Sequence, residues 1–281
     1  MQIVQQQVST KHNLYWCSDI HFGTITHNKK GFKEFLERAW NDKHGYIIIG
    51  GDLVEGRPKS HKFIDLDTAD FDMLLPINQY EAFFETIRPY ASKILVILEG
   101  NHDRAFAKEC GNVIEFKCKE LEIPYGTIAC KINLIDNKKK PLYKIYAHHG
   151  FGSIRSSAGD IIRRDGFVKE ALKRKLKEKA GDALLMGMGH THKLIVCEPT
   201  PRLHMFDDGT KLVQEYSRRH GNSRFILADD RWYINTGSFM KSSVMGVSTY
   251  SEAAGYDPIE MGYILVHGNG NNIESIEKVV I

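Results

Sequence analysis

Residues 14–23 read LYWCSDIHFG. The apolar run at 14–17 has the length and composition of a buried strand, and the chain passes from it straight into a polar loop that carries Asp19 and His21. The same pattern recurs down the chain: 46–49 leads into GGDLVEG, 94–98 into EGNHDR, 143–147 into HHGFG, and 183–186 into GMGHTH. Between these runs the spacing turns helical. Phe32, Phe35, Leu36, Ala39 and Trp40 repeat on one helix face, as do Tyr80, Phe83, Phe84 and Ile87 before Pro89. Strands alternating with helices predict a sheet covered by helices, with the polar loops gathered at the carboxyl ends of the strands.

Further out the signals thin. Val168, Leu172, Leu176 and Ala180 form a narrow stripe on a lysine-rich helix, with Gly181 as its expected C-cap. That basic surface reads first as a solvated face and second as a nucleic-acid platform. Residues 137–140 read as an exposed turn. Strands are expected near 231–235 and 262–267. Residues 197–224 lack periodicity and are expected to form a hairpin or an excursion from one domain spanning 1–281.

Bulk properties set bounds. A 281-residue chain can bury roughly three quarters of its unfolded surface in one core. With 42% hydrophobic and 26% charged residues it has a globular composition, and its apolar runs are too short to span a bilayer. The first residues lack a secretory pattern, so the expectation is a cytoplasmic protein. The five cysteines form no C-x-x-C pair, which points away from a thiolate zinc site. A net charge of +3 does not by itself specify a nucleic-acid partner.

The chemistry lies in the loops. Asp19 and His21 are two residues apart beyond a strand, so in an extended chain both side chains point to one side and can share a metal; His190 and His192 repeat the spacing. Asp52 follows two glycines that let the backbone turn closely and present a carboxylate able to bridge two cations. Asn101 offers an amide oxygen and His148 a further imidazole. Two carboxylates, one amide and four imidazoles suffice for two divalent ions about 3.5–4 Å apart. Oxygen and imidazole ligands without sulfur suit manganese, taken first, or iron, zinc, nickel or cobalt. Arg104 and Arg155, in or just after these loops, are candidates to hold phosphate oxygens.

SDIHFG, GGDLVEG, EGNHDR, AHHG and GHTH, running from about 14 to 192, resemble the successive blocks of the calcineurin-like metallophosphoesterase superfamily. The resemblance implies an α/β/β/α sandwich of two mixed sheets flanked by helices, with a dinuclear site at one edge. It implies that Asp19, His21 and His192 hold one metal and Asn101, His148 and His190 the other, with Asp52 bridging. His148 is preferred to its neighbour His149 because it follows its strand directly, as the family ligand does. His102 would contact the scissile phosphate or protonate the leaving oxygen, oriented by Asp103, and the TGSF run at 236–239 resembles a segment that follows the last block. The expected reaction is hydrolysis of a phosphodiester by a metal-bridging hydroxide, with nucleic acid as one candidate substrate. A phosphomonoesterase or protein phosphatase is one alternative, and a non-catalytic nucleic-acid-binding or scaffold protein with structural metals is another.

Overall fold

The computed structural model describes residues 1–56, 68–217 and 223–281. His61 and His220, to which the sequence assigns no role, lie outside these residues, as does 218–222 of the expected excursion. The strands are β1 (Gln2–Gln7), β2 (Lys11–Cys17), β3 (Gly45–Ile49), β4 (Ile94–Ile97), β5 (Ala129–Ile135), β6 (Pro141–His148), β7 (Leu185–Met188), β8 (Leu194–Cys197), β9 (Leu203–Asp207), β10 (Leu212–Tyr216), β11 (Trp232–Thr236), β12 (Gly262–Asn269) and β13 (Asn272–Val280). The α-helices are α1 (Lys29–Asn41), α2 (Pro76–Ile87), α3 (Asn101–Cys110), α4 (Val113–Glu120), α5 (Ile161–Leu176) and α6 (Tyr250–Ala253).

Two mixed sheets result. One has the order β1-β5-β6-β7-β11-β8, the other β13-β12-β2-β3-β4. Leu14, Trp16, Ile48, Ile145, Ala147, Ile234, Ile264 and Val266 fill the space between them. The alternate residues of the same strands face outward. Tyr15, Cys17, Ile47 and Ile49 pack under the buried stripes of α1 and α2, while Tyr146, Met186, Met188 and Tyr233 pack under Leu172 and Leu176 of α5. Period-two alternation thus serves two apolar layers at once, giving the α/β/β/α sandwich with two mixed sheets.

Local signals set the helix ends. Asn28 caps α1 by accepting from Gly31 N, Pro76 opens α2, and the Asp160 side chain accepts from Arg163 N to start α5. Helix α5 begins earlier than the stripe from Val168 indicates and ends at Leu176. Gly181 is therefore not its C-cap; its carbonyl instead accepts from Ile226 N. Trp40, read as part of the buried face of α1, is 44% exposed and packs edge-on against Tyr90.

Within the sheets, β2, β3 and β4 run parallel, as do β6, β7 and β11. Their registers align Cys17 with Ile49 and Ile97, and His148 with Met188 and Asn235. The loops that follow all these strands consequently open at one edge of the sandwich. Strands β9 and β10 pair with each other alone among the described residues.

Candidate metal centre

Strands β2, β3 and β7 deliver their polar residues through an abrupt change of backbone direction. Asp19, His21, Asp52, His190 and His192 all hold left-handed backbones, with φ between 49° and 69°. The Asp19–His21 pair therefore meets on one side through two left-handed turns, not through the extended chain its spacing suggested. Such conformations cost about 1–2 kcal/mol each for residues with a Cβ and persist where the surroundings over-determine them. Here they do: Asp19 N donates to Gly51 O (3.0 Å), Ile20 N and His21 N to Asp52 O (2.9 and 3.1 Å), and Phe239 N to Asp19 O (3.0 Å). Gly51, at φ +93°, is required because a Cβ there would lie 2.6 Å from the Gly100 backbone nitrogen.

The side chains converge in three overlapping groups: Asp19, His21 and His192; His21, Asp52 and His102; and Asp52, His149 and His190. Asp52 Oδ2 lies 3.9 Å from His21 Nε2 and 3.3 Å from His149 Nε2, so one oxygen adjoins two of the groups. Asn101 Oδ1 lies 2.9 Å from His149 Nε2.

The structure places the adjacent histidines on opposite faces. His149 is fully buried and stands in the cluster, whereas His148 turns its ring toward Tyr146 and Phe151 and accepts from Gly150 N through Nδ1 (2.7 Å). Alternation is the reason. Ile145 and Ala147 face the space between the sheets, so His149 continues that inner face and His148 falls on the outer face with Tyr146.

Asp103 also departs from expectation. Its Oδ2 accepts from Gly100 N (2.7 Å) and Leu53 N (3.2 Å), and its Oδ1 from Tyr80 Oη (3.0 Å), so it braces the loops holding Asp52 and Asn101. Burial and the neighbouring Asp52 carboxylate push Asp103 up to about 6, against these three donors, which favour the anion. The group that holds His102 is Glu55, whose carbonyl accepts from His102 Nδ1 (2.8 Å). The Glu55 carboxylate lies 3.1 Å from His21 Nδ1. One residue thereby sets the ring orientation of two imidazoles of the groups, His21 and His102. The sequence offered one clue to it, an acid three residues beyond Asp52.

Arg104 and Arg155 are exposed and stand outside the three groups. Arg104 pairs with Glu99 (3.1 Å), and the Arg155 guanidinium sits 5.4 Å from the centre of the Tyr256 ring.

A model of the calcineurin-like phosphoesterases matches residues 12–221. The chain belongs to the calcineurin-like phosphoesterase family. No curated protein matches. Among solved structures, a single mutant of Vps29 from Entamoeba histolytica aligns over 96% of this chain and 99% of its own at 14% identity, with a TM-score of 0.40, a likeness too loose to bear on function.

The residues fit the two divalent ions that this family implies. Asp19 Oδ1 and His21 Nε2 are buried without a hydrogen bond. Because a carbonyl only accepts, His149 Nδ1 must donate to Gly50 O (3.0 Å), which aims the lone pair of Nε2 at Asp52 Oδ2 and Asn101 Oδ1. Acceptors facing one another without a donor are what a cation would satisfy. The electrostatics agree: burial disfavours a charged His149, yet Asp52 outweighs it and pushes the ring up to about 10. Burial likewise opposes ionisation of Asp19, but His192 and His149 bring it down to about 2. The cluster demands positive charge, and protons on histidine are a substitute for metal.

Proposed function

We propose that this metallophosphoesterase hydrolyses a phosphodiester, with nucleic acid as the substrate class, using two divalent ions of which manganese is the first candidate. The observation that carries the reading is the set of three overlapping groups sharing His21 and Asp52. Asp19, His21 and His192 would hold one ion and Asn101, His149 and His190 the other, with Asp52 between them; His149 replaces His148 in this set. Bound there, the ions would supply an activated water and neutralise charge developing on phosphorus oxygens.

The chain's own residues supply the rest. His102, held through Nδ1 by the Glu55 carbonyl, presents Nε2 as the proton donor to the leaving oxygen. The Glu55 carboxylate, 23% exposed beside His21 and His102, adds negative charge at the rim, which disfavours the dianion of a monoester more than the monoanion of a diester. Arg104 and Arg155 are proposed to hold flanking phosphates; both are exposed, and if Arg104 turned to a phosphate the buried Glu99 carboxylate would keep the hydrogen bond from Tyr125 Oη. The β9–β10 ribbon is proposed as an excursion from a single domain. No helix among the described residues is long and apolar enough to cross a membrane.

The test is to load the chelated protein with manganese and compare a chromogenic diester, a chromogenic monoester, and single- and double-stranded DNA. The diester is expected to exceed the monoester at least about tenfold in kcat/KM, a difference of about 1.4 kcal/mol. Turnover of monoesters alone would establish the phosphomonoesterase reading instead. Two bound ions without turnover of any ester would establish a non-catalytic role.

A further inference from the structure

The two oxygens of Asp19 have unlike surroundings. Oδ1 faces His192 Nε2 at 3.2 Å and makes no hydrogen bond. Oδ2 accepts from the His190 backbone N–H (2.8 Å) and from the Ser18 hydroxyl. Ser18 has one proton to give, and a carboxylate can only accept it. The second contact of Ser18, to Thr236 Oγ1 at 2.5 Å, must therefore be donated by Thr236. A directed chain results, from Thr236 to Ser18 to Asp19 Oδ2, with Ser18, Asp19 and Thr236 all fully buried.

The frame around this chain leaves it little freedom. The Asp19 carbonyl accepts from the Ser238 hydroxyl (2.9 Å) and from Phe239 N (3.0 Å). Asn235 Nδ2 donates to Gly189 O (3.0 Å), holding the turn that presents His190. A Cβ on Gly189 would collide with Ser18 Oγ. The end of β11 and the turn after it, which carry no member of the three groups, thus bind the loops on which Asp19 and His190 sit.

We propose that Ser18, held by Thr236, is a positioning residue that occupies Asp19 Oδ2, so that the carboxylate offers only Oδ1 to the ion shared with His21 and His192. Single-oxygen ligation would then follow from the protein and not from the metal, and the hydroxyl chain ties this ion's carboxylate to the end of β11. Outer partners of this kind set ligand orientation, and their loss costs about 10- to 100-fold in metal affinity.

The proposal rests on the two-ion reading above, and one experiment separates them. Manganese(II) is titrated calorimetrically into chelator-treated wild type, Ser18→Ala, Thr236→Val and Thr236→Ser, and the electron paramagnetic resonance spectrum of the coupled ion pair is recorded at each step. Wild type is expected to take up two ions. Ser18→Ala and Thr236→Val should weaken one of the two by about 10- to 100-fold and lose the pair signal at concentrations that saturate wild type, while remaining folded in chelator. Thr236→Ser, which keeps the hydroxyl, should retain both ions. Undiminished affinity for both ions in Ser18→Ala, or a Thr236→Ser protein as weak as Thr236→Val, overturns the positioning role. A wild type that takes up no manganese overturns the two-ion reading itself.

Discussion

The ligand loops and the β9–β10 ribbon depart from the body of the sandwich in opposite ways. At the loops the backbone is irregular: five residues adopt left-handed φ, and each turn is tied to a neighbouring one by backbone hydrogen bonds. The ribbon is regular, with five paired residues on each strand, yet it exposes Leu203, Met205, Leu212 and Tyr216 by 50–67%. Strain sits where side chains must converge and is held in place by surrounding bonds. Regular geometry sits where little holds it, and an isolated two-stranded ribbon is only marginally stable in water. Regularity is therefore a poor guide to which part of this molecule matters for chemistry.

The largest effect should come from within the loops. His149→Ala removes the lone pair that faces Asp52 and Asn101 and is expected to lower kcat by at least about 100-fold, beyond what an outer partner transmits. His148→Ala, one residue away on the outer face, should stay within about threefold, or roughly 0.7 kcal/mol. Parallel kinetics and metal analysis of the two variants check this. Equal losses would mean that strand alternation does not sort these two histidines.

Glycines at the same φ sharpen the contrast next. Gly51 in the Asp52 loop and Gly209 at the ribbon tip both have φ +93°, but a Cβ at Gly51 meets backbone at 2.6 Å and one at Gly209 meets nothing within 4 Å. Gly209→Ala should cost only the conformational strain, about 1–2 kcal/mol. Gly51→Ala adds a collision with unyielding backbone and should cost about 3–4 kcal/mol in all. Denaturant unfolding of both variants measures the difference, and equal costs would show that the loop yields as readily as the tip.

A pH effect is expected on the loop side as well. His27 donates through Nδ1 to the Ile20 carbonyl (2.8 Å), and its Nε2 is buried without a partner. Burial brings it down to about 4 from its ordinary 6.5. Between these values the unfolded chain binds the additional proton. The stability held by the neutral ring is thus complete above about pH 6.5, falls as pH drops through that window, and levels off below about 4. The loss amounts to about 3 kcal/mol at most. His27→Gln should flatten the stability profile between pH 7 and 4.5, and an unaltered slope would show that His27 does not titrate differently on folding.

Much of this site was readable in the sequence because its chemistry restricts residue type. Asp19, His21, Asp52, Asn101, His190 and His192 each follow an apolar run, and each reaches the edge its strand predicts. Which of His148 and His149 faces the groups was not readable, because β6 is buried on both faces: Tyr143, Ile145, Tyr146 and Ala147 are all buried and give no alternation to count. Strand β1 was missed because QIVQQQ is a mostly exposed edge strand without a clear apolar face. Glu55 and the Ser18–Thr236 pair escaped for a different reason. Their partners are 34 or more residues away along the chain, and spacing carries no trace of such contacts.

The smallest effects should fall on the ribbon. Cross-strand neighbours Leu203 and Tyr216 share a face with Met205 and Leu212, so a lysine at 205 or 212 meets solvent and no packed neighbour has to move. Met205→Lys and Leu212→Lys are each expected to alter unfolding free energy by no more than about 0.5 kcal/mol and Tm by no more than about 2 °C. Thermal unfolding at two protein concentrations tests both figures. A loss well above 1 kcal/mol that depends on concentration would mean that a second copy of the chain covers this face, and the contrast with the ligand loops would then be one between inner and outer contacts instead of between held and unheld backbone.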